Sequence, residues 1–238
     1  MARLVTLTAV LLVVAAEKKS GLYKVALTQI GYIQFLKYDV QLPDLQDFTF
    51  CIWVKSNNFT YPHPLFSYSR HETQRLVRSW LDPKGFVMLE VLENNVMSVP
   101  IDFVPGFWYN ICQTWNNIVG QWLLHINGRL AAAGHNWKLR GAIIPRGGDV
   151  VVGQEYTDFD KGLDDGIEGE VFGFNLVSSF NKLHWLNEEL VQNSFYQCAA
   201  RRGSPMNNKH LLIAWASTPV RVFGGAVIKS ANPTCGDF

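Results

Sequence analysis

Apolar and polar residues alternate in short stretches along most of the chain. In 48–55, Phe48, Phe50, Ile52 and Val54 fall on one face, and Thr49, Cys51, Trp53 and Lys55 on the other. That period of two, in aromatic and β-branched residues, is the pattern of a strand on a pleated sheet. The segment FWYNICQTW, 107–115, reads the same way. Further strands are predicted at 23–28, 32–37, 65–69, 74–80, 86–92, 96–98, 121–127, 129–135, 149–153, 169–177, 211–215 and 226–229. Turn chemistry separates them at Asp82-Pro83-Lys84-Gly85, Asn94-Asn95, Asn127-Gly128 and Gly147-Gly148-Asp149. Asn127-Gly128 is the strongest hairpin signal, because both central residues of a type I′ turn need positive φ. Over 183–197 the period changes: Leu183, Leu186, Leu190 and Phe195 recur about every 3.6 residues, and Asn181 is placed to cap a helix. Many short strands, regular turns and one helix predict an all-β protein built as a two-sheet sandwich.

The N-terminus departs from this pattern. Arg3 precedes an apolar run from Leu4 to Ala16, which ends in small residues before Glu17-Lys18-Lys19. The run is about 13 residues, short of the roughly 20 a spanning helix needs. Residues 1–16 are therefore expected to be a cleaved signal peptide, and 17–238 a single secreted, extracellular domain. No later stretch is long or apolar enough to span a membrane. Apolar residues make up 48 % and charged residues 17 % of the chain, enough for a full core without disorder. The net charge of +1 leaves no electrostatic footprint for nucleic acid or an acidic membrane surface.

Secretion changes the meaning of the four cysteines, Cys51, Cys112, Cys198 and Cys235. An even count outside the cell argues for disulfides, and four cysteines allow three connectivities, which spacing alone leaves open. Cys51 and Cys112, each on a predicted strand, are expected to point inward and could be bridged across a sheet. No Cys-x-x-Cys pair points to zinc or redox chemistry. Asn58-Phe59-Thr60 is an N-glycosylation sequon in a polar, proline-containing loop, with Asn58 as the acceptor. Enzyme signatures are missing: there is no HExxH, no Gly-x-Ser-x-Gly and no phosphate-cradling glycine loop. The six histidines are scattered, and His125 reads as a packed or edge histidine. Glu168 and Glu170 are the one carboxylate pair a glycosidase could use, but no longer acidic pattern surrounds them.

An ordered series of motifs carries a family resemblance: DFTFCIWVK, PLFSYS at 64–69, YNICQTW, GQWLLHINGRL at 120–130, VVVGQE at 150–155 and GEVFGFNLV at 169–177. The series resembles the pentraxins, the family of C-reactive protein and serum amyloid P, from about Leu22 to Ser230. In the family signature His-x-Cys-x-Ser/Thr-Trp, Cys112, Thr114 and Trp115 match and Asn110 replaces the histidine. The resemblance implies an antiparallel jelly-roll, lectin-like sandwich with one short helix on one sheet, and a Cys51–Cys112 disulfide. Cys198 and Cys235 lie outside the family's core pattern. We read them as a second intrachain bridge pinning the C-terminal tail, with an interchain bond as the alternative.

The sharpest compositional feature is EYTDFDKGLDDGIEGE, 155–170, which holds seven of the twenty acidic residues and one opposing Lys161. Clustered carboxylates on a glycine-containing loop suit calcium, which takes six to eight oxygen ligands; the alternative is a solvated acidic loop. The spacing is not that of an EF-hand. The resemblance implies a calcium pair held mostly by this stretch. Glu155 matches the family's first acid, and Tyr156 stands where a backbone carbonyl ligates. Asp158 falls one place after the next aspartate, where this chain has Thr157. Asp164 or Asp165 matches the later acid, and Glu168 is nearest to the final ligand. The family's Asp-Asn pair is absent, with Thr73-Gln74 in its place, and Ser79 and Asn94 do not reproduce the phosphocholine pocket. The resulting expectation is a non-catalytic pattern-recognition protein of innate defence. It would bind an extracellular glycan, lipid headgroup or other phosphate ester, with calcium as a cofactor and avidity from a homo-oligomer. The alternative is a calcium-independent adhesive module that binds protein partners.

Overall fold

The computed structural model describes residues 22–28, 33–71, 74–155, 166–179, 184–204 and 210–238, with the backbone alone for 184–186. Two antiparallel sheets face each other, with strands numbered in chain order. One sheet runs β10 (Arg129–His135), β9 (Gln121–Ile126), β8 (Trp108–Asn116), β3 (Asp47–Ser56), β12 (Gly169–Val177), β1 (Tyr23–Leu27) and β15 (Val227–Ser230), with β13 (Leu211–Ile213) also paired to β12. The other runs β14 (Val220–Phe223), β2 (Phe35–Tyr38), β11 (Asp149–Val152), β4 (His63–His71), β5 (Gln74–Asp82), β6 (Phe86–Val91) and β7 (Asn94–Pro100). This is the two-sheet, all-β jelly-roll sandwich with one short helix.

The alternation on β3 decides what lies between the sheets. Phe48, Phe50, Ile52 and Val54 join the central core. Phe66 and Phe174 meet Phe50 there at ring-centroid distances of 5.1 and 5.9 Å, and Phe48 packs 5.9 Å from Trp115. Offset and tilted aromatic pairs of this kind add to the area they bury.

The outer face of β3 is buried too, and this corrects the expectation that the cysteines point inward. Cys51 stands directly opposite Cys112 across β3 and β8, and the two are bonded. Their bridge lies outside the sandwich interior, in a second apolar cluster with Val177, Leu190 and Val191. The last two belong to helix α1 (His184–Tyr196), which covers this face. Beside the bridge, Trp53 donates to the Ser194 carbonyl at 2.9 Å and stacks on Phe195. Asn110, in the signature's histidine position, donates to Ser194 Oγ at 2.9 Å. Cys198 and Cys235 pair within the chain. The tail they pin brings Phe238 over the same sheet, 3.9 Å from Phe172.

The Asn127-Gly128 hairpin forms as predicted, with φ of 50° and 72°. Asn94-Asn95 does not turn. Val91 pairs with Asn94, so the β6–β7 turn falls two residues earlier, on Leu92 and Glu93, at φ of 49° and 60°. The sheet sets this register, because Val91 and Met97 must both face the core. Strand β14 was not expected. The proposed cap Asn181 lies outside the described residues.

Candidate functional site

The site grows from the outer face of the seven-stranded sheet, where β4, β5 and β11 lie side by side. β11 ends at Val152, and Gly153, with a φ of 89°, turns the chain into Gln154 and Glu155. Glu155 is fully buried. Arg75 Nε lies 2.7 Å from its Oε1, and an Arg78 terminal nitrogen 2.8 Å from its Oε2. Arg78 also lies over Trp80, 4.2 Å from the ring centroid.

Two arginines three residues apart on a strand normally point to opposite faces. Here Tyr68 pairs with Val77 and the next residue, Ser69, with Arg75, so Leu76 is an extra residue in β5. Leu76 and Val77 both enter the core. This bulge resets the alternation and turns Arg75 to the same side as Arg78, the re-aiming for which bulges are found beside sites. Ser67 stands opposite Arg78. The hydroxyls of Ser67 and Ser69 and Arg78 Nε are buried there without a hydrogen-bond partner among the described residues.

The other end of the acidic stretch is anchored separately. Ile167 N–H donates to the Gly153 carbonyl at 3.2 Å, so the two ends of the excursion meet. Glu168 then turns away to accept from the Tyr61 hydroxyl and from Asn58 Nδ2 at 3.4 Å. Burial and the bond to Glu168 push the Tyr61 phenol well up. Asn58, the sequon residue, accepts from Thr60 N–H at 3.0 Å. Beneath them His63 is buried between Ser56 Oγ at 2.6 Å and the Tyr61 carbonyl at 2.7 Å. A carbonyl can only accept, so Nδ1 carries a proton, while Ser56 Oγ stands between Nε2 and the Asn58 carbonyl, to which it donates at 2.7 Å. Burial lowers the His63 pKa.

Glu170 belongs to the opposite sheet. It takes Lys55 at 2.7 Å, Lys24 at 2.9 Å and Lys229 at 3.6 Å. Burial raises its pKa, but bonds to Lys55 and Lys24 outweigh this and hold the carboxyl below its ordinary value. Glu168 and Glu170 thus serve separate partner sets, although both line one cleft of about 370 Å³. On that same side a cleft of about 450 Å³ opens between α1 and β8–β10, with His125, Glu188 and Gln192 in its wall. Half-buried His125 has its pKa lowered by burial.

Tyr156, Asp158, Asp164 and Asp165, proposed with Glu155 and Glu168 as calcium ligands, lie outside the described residues, as does Thr73. Among the described residues no three His, Cys, Asp or Glu side chains converge on a metal position. The described ligands do not fit calcium. Both Glu155 oxygens face guanidinium groups, and Glu168 is turned to Tyr61 and Asn58. A divalent ion about 5 Å from each guanidinium would meet roughly 3 kcal/mol of repulsion per arginine per unit of its charge at an effective dielectric constant near 20. Arg75 and Arg78 were missed in the sequence, although both lie within a few residues of the missing Asp-Asn pair.

Comparison with known proteins agrees with the fold. The Pentaxin family model matches residues 29–229. Human pentraxin-related protein PTX3 is 29 % identical over 188 residues, covering 76 % of this chain and 46 % of its own length. Rat neuronal pentraxin-1 is 28 % identical, covering 81 % and 42 %, so this chain spans less than half of either relative. C-reactive protein 1.4 of Limulus polyphemus is 26 % identical, covering 82 % of this chain and 78 % of that protein. A crystal structure of a native heptameric SAP-like pentraxin from Limulus polyphemus shares the fold, with a TM-score of 0.69 at 21 % identity over 91 % of this chain and 98 % of that one. With its family model, its sandwich and its buried Cys51–Cys112 bridge in agreement, the chain belongs to the pentaxin, or pentraxin, family.

Proposed function

We propose that this chain acts outside the cell as a pentraxin-type pattern-recognition protein of innate defence, binding surface glycans or phosphate-ester headgroups. The observation that carries the reading is the donor-rich outer face around Glu155. Two guanidinium groups share one carboxylate there, and the hydroxyls of Ser67 and Ser69 lie beside them. Guanidinium groups in that setting favour carboxylate, sulfate or phosphate groups on the ligand. Individual sites of this kind are weak. Copies facing one way in a homo-oligomer would bind a repetitive surface by avidity. Secretion through residues 1–16 and a glycan on Asn58 belong to the same proposal.

Binding of the purified full chain to immobilised sialylated or sulfated glycans and to phosphate-ester vesicles tests it, run in calcium and again in chelator. Saturable, salt-sensitive binding to anionic members of either panel is the expected result. Uniform failure across both panels would remove the reading. A second reading is a calcium-independent adhesive module with a protein partner. It is favoured by the arginines standing near the position of the family's Asp-Asn pair, and it is supported if only protein ligands bind.

A further inference from the structure

We infer that Arg75 and Arg78 perform in this chain the charge-neutralising and cross-linking role that family membership assigns to calcium, so that the face around Glu155 is assembled permanently and without a metal. The inference does not depend on which ligand is bound.

Four observations converge on it. Glu155, the acid that matches the family's first ligand, is fully buried, and a buried carboxylate needs a cation. Each of its oxygens has a guanidinium nitrogen at 2.7 or 2.8 Å, so the positions a cation would take beside it are filled by the chain itself. Both arginines reach one carboxylate only because Leu76 is bulged, and Trp80 backs the Arg78 guanidinium at 4.2 Å. Finally, the segment that should bring the second set of acidic or amide oxygens has Thr73-Gln74 followed directly by Arg75. Charge has changed sign where the metal's partner loop should be. The link that calcium would make between two loops is made instead between β5 and the end of β11, by cations covalently part of β5.

The test needs no ligand. Thermal unfolding of the purified full chain is followed in millimolar calcium and in excess EDTA, alongside terbium luminescence as a direct probe of a calcium-type site. We expect the same unfolding temperature in both solutions and no saturable terbium signal. Arg78→Ala should unfold several degrees lower, and Arg78→Lys should recover part of the loss, since it keeps the charge. In Arg75→Asn/Arg78→Asn, an unfolding temperature that has become calcium-sensitive would support the exchange of roles directly. Should that double variant fail to fold, the wild-type comparison and the single variants still decide. A calcium-induced rise for the wild type that EDTA reverses overturns the inference. So does an Arg78→Ala chain that unfolds where the wild type does.

Discussion

The β6–β7 turn offers a test in which two neighbouring substitutions should have opposite signs. Leu92 and Glu93 both adopt left-handed backbone, at φ of 49° and 60°, in a two-residue hairpin loop of the kind that favours Asn-Gly. For a residue with a β-carbon that conformation costs about 1–2 kcal/mol. The Glu93 side chain is exposed. Glu93→Gly therefore removes the strain without opening a cavity, and gives back about 0.5–1 kcal/mol through the added freedom of the unfolded chain. The net expectation is a gain of about 1 kcal/mol, or roughly 2–4 °C in unfolding temperature for a domain of this size. Asn94→Gly should do the reverse. Asn94 is a strand residue paired with Val91, and its Nδ2 donates to the Leu92 carbonyl at 2.7 Å. Losing that bond and the strand side chain should cost about 1 kcal/mol. Differential scanning calorimetry of the two variants beside the wild type measures both. If Asn94→Gly stabilises and Glu93→Gly does not, the turn lies on the asparagines and Val91 does not pair with Asn94.

Three further predictions follow from the packing. Replacing Cys51 and Cys112 together by alanine removes a bridge closing a 61-residue separation. By loop entropy this should cost about 4 kcal/mol in urea unfolding, and a change below about 1 kcal/mol would contradict the covalent link. Arg78→Ala should cost about 2–3 kcal/mol, less than the roughly 3–5 of a fully broken buried pair, because Arg75 still holds Glu155 and Arg78 is itself partly exposed. Adding Glu155→Gln should recover most of that cost in a double-mutant cycle, and additive costs would mean the two side chains do not interact. His63 titrates lower in the folded protein than its ordinary value of about 6.5, so the unfolded chain binds more protons in the interval between. Stability from this site should be complete above about pH 6.5 and fall as pH drops through that interval. Urea titrations along a pH series should show the loss, flattened in His63→Gln; an identical slope in the variant would exclude His63 as its source.

The central part of the fold was legible in the sequence for a local reason. On β3 the period of two marks which residues lie between the sheets even though both faces are buried, so Phe48, Phe50, Ile52 and Val54 announced the core directly. Asn127-Gly128 announced its turn because only residues tolerant of positive φ suit it. Strand β14 stayed hidden because it is a four-residue edge strand with no fully buried residue. The β6–β7 turn was misplaced because turn chemistry at Asn94-Asn95 was a weaker constraint than the need to face Val91 and Met97 inward. The arginine pair was hidden by the bulge. A strict alternation from 74 to 80 puts Arg75 and Arg78 on opposite faces, and only the pairing of Ser69 with Arg75 shows otherwise.

That bulge also decides how the site responds to its surroundings. A metal stabilises a protein by mass action, so its contribution rises with free concentration and vanishes in chelator. A guanidinium carried on β5 has no such equilibrium: its effective concentration beside Glu155 is fixed by the sheet. The exchange leaves a different sensitivity behind. The guanidinium charges of Arg75 and Arg78 stay partly open to solvent through their side chains. Interactions of such a charge with an anionic surface are screened over about 8 Å at physiological ionic strength. Recognition through this face should therefore track salt concentration where calcium-mediated recognition would track the metal, and the two dependences can be measured on the same binding curve.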